Sequence, residues 1–154
     1  MTYIRGLRQN NIQVVTNSTG YSTQSISTSL VGIQGTEITY TPKTKNLGIV
    51  YECNYTMYWN PDGSYSYHCV RLQESTDGGS TWSTIPGSEA MEGSGGEADY
   101  DTFCLHYTHL LDTWSGPKML RLAARSYSTH SEYTIGKCYT AGNSTVKSLS
   151  LIHI

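Results

Sequence analysis

The chain has 154 residues and a formal net charge of −2, and only 14% of its residues are charged. That balance gives no electrostatic basis for binding nucleic acid. No run of about 18 apolar residues is present to cross a membrane as a helix.

Hydrophobic residues make up 37%, with 13 Tyr against one Phe. Disordered chains are charged and poor in aromatics, so this composition argues against disorder. The length suffices for one domain with a core. Thr and Tyr suit half-buried strand positions, and Tyr can bury its ring while its hydroxyl finds water or a partner.

Residues 1–11 read as an N-terminal arm with Arg5 and Arg8 and no clean hydrophobic period, and residues 12–154 as a single domain. Met1 to Arg8 lack an apolar core of signal-peptide length, so synthesis in a cytoplasm is expected. Weak strand signals fall at Ile12–Thr16 and Gln24–Val31. Thr36 to Thr41 alternate, and Pro42 closes that strand. Leu47 to Trp59 form a long strand whose odd positions, Ile49, Tyr51, Cys53, Tyr55, Met57 and Trp59, make one apolar face. Tyr51 and Tyr55 on that face are candidates for a subunit interface.

Asn60-Pro-Asp-Gly63 carries turn chemistry and predicts a hairpin, with Ser64 to Glu74 as the return strand. Asp77-Gly-Gly79 makes a second turn ahead of a short strand at Thr81–Ile85. Residues 87–99 read as a long exposed loop, flexible by glycine content and acidic by Glu89, Glu92, Glu97 and Asp99. It is a candidate interaction loop.

The last third has a rhythm. Phe103–Leu111, Met119–Tyr127, Glu132–Tyr139 and Val146–Ile154 are strand-length runs, punctuated by turn formers at Asp112–Pro117, Ser128–Ser131 and Ala141–Ser144. This predicts an all-β fold, an antiparallel β-sandwich. Leu120, Leu122 and Ala124 are expected to enter the core, as are Leu149 and Leu151. Arg121, Arg125 and Tyr127 share the opposite face with Met119 and Ala123, a face expected to meet another subunit or else solvent, with Arg stems covering tyrosines; the three are candidates for a trimer interface. The apolar final strand is read as a further hint of subunit contact.

Ser75-Thr-Asp-Gly-Gly-Ser-Thr-Trp82 resembles the Asp-box of sialidases and other propeller glycosidases. Ser75, Asp77, Gly79 and Trp82 would then shape a hairpin turn rather than a catalytic centre, since a propeller needs several boxes and a longer chain. His106 and His109 look like a metal pair, but residues three apart on a strand face opposite sides. The acidic residues near 89–101 lack the ligand order of a calcium loop. No nucleophile elbow or phosphate-binding glycine loop is present. The expectation is a protein with no catalytic residue, no metal and no cofactor.

The cysteines, Cys53, Cys69, Cys104 and Cys138, form no C-x-x-C pair and read as small reduced hydrophobes. Cys53 and Cys69 flank the expected hairpin, so a cross-strand disulfide stays open. The sequons at Asn17, Asn54 and Asn143 read as chance matches.

Ile38-Thr-Tyr-Thr-Pro-Lys43, Leu47-Gly-Ile-Val50, Leu110-Leu-Asp112, Met119-Leu-Arg-Leu122 and Leu149-Ser-Leu-Ile152 together resemble a group of small virion proteins of tailed phages. That group is similar in topology to tumour-necrosis-factor-like jelly rolls. The resemblance implies a jelly roll of roughly eight to ten strands, a homotrimer and a place on a virion. The chain would serve as a capsid decoration (cement) protein, a short head fibre or a tail-fibre knob.

Its partners would be itself and either the major capsid protein or tail and portal proteins, with Arg5 and Arg8 as anchors. A knob would instead meet a host receptor, glycan or protein. A glycan-processing enzyme is a third reading, suggested only by the Asp-box. Two departures from the group are Thr113-Trp-Ser-Gly116, where a proline-containing turn is expected, and His153-Ile154 in place of a closing acidic residue.

Overall fold

The computed structural model describes residues 13–16, 24–42, 49–60, 66–94, 101–127, 132–135 and 149–153. Among these residues the structure is all-β, with no helix. The strands are β1 (Gln13–Thr16), β2 (Gln24–Ile26), β3 (Val31–Gly32), β4 (Ile38–Tyr40), β5 (Ile49–Asn60) and β6 (Ser66–Ser75). They continue with β7 (Ser83–Thr84), β8 (Ala90–Ser94), β9 (Asp101–Leu111), β10 (Lys118–Ser126), β11 (Glu132–Ile135) and β12 (Leu149–His153).

Two antiparallel sheets result. In the first, β5 pairs along its length with β9, and its other side is tiled by β12 and β11, which carry β1 and β2 beyond them. In the second, β6 pairs with β10. The far side of β10 is tiled by β4 and β3, and that of β6 by β7 and β8. Each sheet is thus a long central pair flanked by short strands.

The alternation of the sequence sets which side chains meet between the sheets. Along β5, Ile49, Tyr51, Cys53, Tyr55 and Met57 are buried. Opposite them lie Val70 and Leu72 of β6 with Leu120, Leu122 and Ala124 of β10, the last three with no exposed surface. Full burial of one such aliphatic side chain contributes about 1.5–3 kcal/mol. Thr36, Ile38 and Tyr40 are buried while Glu37, Thr39 and Thr41 are exposed, the alternation expected before Pro42.

Several buried polar groups are paired across this core, which offsets their desolvation, while the Tyr40 hydroxyl and Thr56 Oγ1 are buried without a hydrogen-bond partner. The Tyr51 hydroxyl donates to the Thr36 carbonyl at 2.9 Å, and Tyr107 donates to the Ser88 carbonyl at 2.6 Å. Burial pushes the Tyr107 hydroxyl up to about 12. His68 of β6 meets the Tyr55 hydroxyl of β5 at 3.3 Å, and burial lowers its pKa to about 4. The imidazole is therefore neutral inside the protein.

Two expectations are corrected. First, β5 and β6 do not form a hairpin: they belong to different sheets and face each other across the core. Turn residues announce a reversal but not pairing, and both sides of β5 are already occupied by β9, β11 and β12. Residues 61–63 of the expected turn lie outside the described residues.

Cys53 and Cys69 are free, in line with their reading as reduced thiols, and the two strands that carry them lie in opposite sheets, which closes the open question of a cross-strand disulfide. Second, the segment expected as one loop over 87–99 contains β8, paired with β6 from Ser66↔Ser94 to Val70↔Ala90. Its glycines masked a strand whose hydrogen bonds come from the backbone. In β12, Leu149 and Leu151 are in register with Asn54 and Glu52, and Ser150 and Ile152 with Cys53 and Tyr51; the side chains of β12, on which the expected burial of Leu149 and Leu151 turns, lie outside what is described.

The turn lacking proline is held by Trp114. Its ring packs edge-on against Tyr40 at 5.9 Å, with Lys118 Nζ 5.3 Å above it.

Candidate functional site

The outer face of the second sheet brings most of the expected site residues together. On β6 the odd positions Tyr67, Cys69, Arg71, Gln73 and Ser75 point away from the core. On β10 the odd positions from Met119 do the same, because successive strand residues face opposite sides. Register joins them across the sheet: Ser75 with Met119, Gln73 with Arg121, Arg71 with Ala123 and Cys69 with Arg125. The amide of Tyr127 donates to the Tyr67 carbonyl at 2.8 Å, which places these two tyrosines side by side.

One end of this face is covered by the β6–β7 hairpin. Ser75 donates to Asp77 Oδ1 at 2.7 Å, and its own oxygen accepts the Gly79 amide at 2.9 Å. Asp77 also accepts the Thr81 amide at 2.9 Å and the Thr81 hydroxyl at 2.6 Å. The Thr81 hydroxyl, the Thr81 amide and the Ser75 hydroxyl, in that order, hold the Asp77 carboxyl well below the usual carboxylate range. Gly79 has φ 90°, a left-handed conformation that costs a residue with a Cβ. Trp82 Nε1 donates to the Gly79 carbonyl at 3.0 Å. Ser75, Asp77, Gly79 and Trp82 are thus the parts of one tight turn.

Trp82 in turn stacks on Arg121, whose guanidinium carbon lies 4.0 Å from the ring centroid. Arg121 Nε donates to Gln73 Oε1 at 2.9 Å, and its Nη1 is 3.6 Å from Glu37. A Cβ on Gly32 would lie 2.7 Å from this guanidinium, so a side chain there would displace it. Arg121 is committed within the chain.

The middle of the face is a second charged cluster. Arg71 Nη2 donates to Glu89 Oε1 at 2.8 Å, and the Cys69 thiol donates to the same oxygen at 2.9 Å. The Cys69 thiol first and Arg71 second hold the Glu89 carboxyl below its usual value, and the charge of Arg125 adds to this. Burial, then Glu89, pushes the Cys69 thiol up, which keeps it a protonated donor rather than a thiolate nucleophile. The Nε atoms of Arg71 and Arg125 are buried without a hydrogen-bond partner.

The far end of the face is open. Tyr127 is 65% exposed, Met91 55% and Tyr67 45%. Met91 is in register with Cys69 and Gly93 with Tyr67.

Tyr51 and Tyr55 do not belong to any outer face. They are 0% and 2% exposed in the single chain, their rings filling the space between the sheets, so they have no surface to offer a second subunit. Arg5, Arg8, Glu97 and Asp99 lie outside the described residues, and of Glu92 only its backbone place in β8 is described. Glu89, expected in a loose loop, is instead drawn onto Arg71 and Cys69.

On the first sheet His106 and His109 separate as strand geometry requires. His106 Nδ1 is 2.8 Å from Asn54 Oδ1, with Thr108 Oγ1 2.8 Å from its Nε2, whereas His109 stacks on Tyr107. Among the described residues no group of three or more His, Cys, Asp or Glu is placed to hold a metal ion.

No protein-family model matches the chain, and no curated protein is significantly similar to it. Tyr67, Cys69 and Arg71 were missed in the sequence because attention to the core selects the even residues of β6. The signal was present as the alternating complement, Tyr67-x-Cys69-x-Arg71-x-Gln73.

Proposed function

We propose that the chain is a non-enzymatic structural protein of a phage virion exterior, a trimeric jelly roll that decorates the capsid or forms a short head fibre, docked by its N-terminal arm through Arg5 and Arg8. The observation that carries this reading is the way the chain alternates between its sheets. β4 belongs to the second sheet, β5 to the first, β6 to β8 to the second, β9 to the first and β10 to the second, before β11 and β12 return to the first. Strands traded back and forth between two sheets are the pattern of a jelly roll.

Exposed apolar side chains outside the core, Leu110 at 68% and Tyr127 at 65%, support a protein that acts by association. The capsid itself, the arm and the threefold assembly rest on the resemblance of the sequence to small phage virion proteins. The test is the molar mass of the purified chain in solution, followed by co-sedimentation with phage heads and tails. A mass near three times 17.1 kDa with head binding supports the reading, and a stable monomer that binds neither particle overturns it.

A second reading, a tail-fibre-associated knob for a host surface glycan or protein, is favoured by one observation. Tyr67, Met91 and Tyr127 form an exposed aromatic and apolar end to a face that also carries Arg71 and Arg125.

A further inference from the structure

We propose that the outer face of β6, β8 and β10 binds a carboxylate-bearing saccharide, and that Glu89 occupies the carboxylate position in the free protein. The inference deepens the receptor-binding reading and rests on it for its setting, but the site lies within one chain.

Three adjacent rungs of the sheet build the site. The first holds Arg71 beside Ala123, with Glu89 reaching Arg71 at 2.8 Å. The second holds Met91, Cys69 and Arg125. The third holds Tyr67 and Tyr127 beside Gly93. Ala123 and Cys69 have almost no exposed surface, so Tyr67, Met91 and Tyr127 are the parts of these rungs most open to a ligand.

Two guanidiniums are thus served by one carboxylate. Glu89 Oε1 takes both Arg71 and the Cys69 thiol, while the buried Nε atoms of Arg71 and Arg125 have no acceptor. Arg71, Arg125 and Glu89 leave one positive charge on this patch of a chain whose net charge is −2. Guanidinium groups match carboxylates in shape and charge. The Glu89 side chain is 45% exposed and lies just before β8, so it can turn outward and free Arg71.

The chemistry of the occupant follows from the shape of the face. Backbone groups of β6 are consumed by β10 on one side and by β7 and β8 on the other. An extended peptide binds by adding a strand to a free edge, and among the described residues β6 and β10, which carry the arginines and tyrosines, are paired on both sides, the free edge of β8 lying a strand away from them. What remains are side chains: two exposed tyrosine rings and a methionine beside cationic groups. A sugar ring can lie on the tyrosines while its carboxylate takes the arginines, each group meeting its chemical complement.

The experiment is calorimetric titration of the full chain with sialyllactose and with a polyuronate tetrasaccharide, against lactose and the carboxyl-reduced tetrasaccharide. An acidic saccharide should bind and its neutral counterpart should not. Tyr127→Ala and Arg125→Gln should each weaken binding about tenfold, the equivalent of about 1.4 kcal/mol. Glu89→Gln should strengthen it, because the internal competitor loses its charge. Tyr127 is exposed, so its variant keeps the test alive if the arginine variant fails to fold.

No binding of either acid, equal binding of the neutral sugars, weakened binding by Glu89→Gln, or uptake of an acidic peptide in place of the sugar would each overturn the proposal. The molar-mass and particle-binding tests are separate measurements, so failure here is distinguishable from failure of the virion reading.

Discussion

The outer faces of the two sheets are built on different plans. On the β6–β10 face, long cationic side chains are held within the chain, Arg121 by Trp82, Gln73 and Glu37, and Arg71 by Glu89. On the β5–β9 face the described contacts are short and local, His106 resting between Asn54 and Thr108 while Leu110 stands 68% exposed. Among the described residues the first face is a connected layer, and the second carries a short polar network beside an exposed Leu110. Coupled groups respond together to substitution, whereas isolated ones respond alone. The difference therefore says where a single mutation will spread and where it will stay.

The sharpest way to break the comparison is to go beneath the faces. Leu122→Asp would leave an unpaired charge in the core at a position with no exposed surface, a cost of several kcal/mol. It should abolish soluble expression, and a folded product by circular dichroism would show that the core is misplaced.

Next in size is acid. His68 has its pKa lowered from 6.5 to about 4 by burial, so the unfolded chain takes up a proton that the folded protein refuses. Stability should be unaffected by this group above pH 6.5, fall as pH drops from there to about 4, and level off below. The full difference is about 3 kcal/mol at 1.36 kcal/mol per unit. His68→Leu should flatten that part of a denaturation-midpoint profile, and an unchanged slope would move the cause to other groups.

On the connected face, Arg121→Ala should cost about 1–2 kcal/mol through loss of the Trp82 stack and the Gln73 bond. It should also change Trp82 fluorescence. Gly32→Ala should give the same fluorescence change by pushing the guanidinium aside. On the other face, Leu110→Asp should shift stability by less than about 0.5 kcal/mol. A thermal melt that placed Leu110→Asp near Arg121→Ala would erase the distinction between the faces.

The all-β class was legible in the sequence, and so was the polarity of individual strands. Thr36 to Tyr40 and Ile49 to Met57 bury the residues that alternation selects, and Leu120, Leu122 and Ala124 do likewise. Alternation is a local property, so it survives without knowledge of partners. Pairing is not local. Asn60-Pro-Asp-Gly63 could not reveal that the strands it joins belong to different sheets, and Gly-rich 87–94 gave no side-chain signal for β8.

The same limit misassigned Tyr51 and Tyr55. A tyrosine can serve a surface or a core, and only the acceptor of its hydroxyl decides which. For Tyr51 that acceptor is the Thr36 carbonyl, fifteen residues away. Of the candidate site, the Asp-box turn was readable because its bonds run within Ser75 to Trp82. The Arg71–Glu89 pair was not, because it joins residues eighteen apart.

The alternation of the chain between sheets also sets the order in which the protein can assemble. Neither central pair joins neighbours in the chain: β5 must wait for β9, and β6 for β10. Such non-local pairing closes large loops before any contact rewards it, which places folding in the range of roughly milliseconds to seconds. The β6–β7 hairpin is different, since Ser75, Asp77, Gly79, Thr81 and Trp82 satisfy one another within a single turn. It can form while the rest of the chain is still searching. The motif that looked like a relic of a sugar-cleaving propeller would then act, in time rather than in space, as the seed on which the slower sheet is laid.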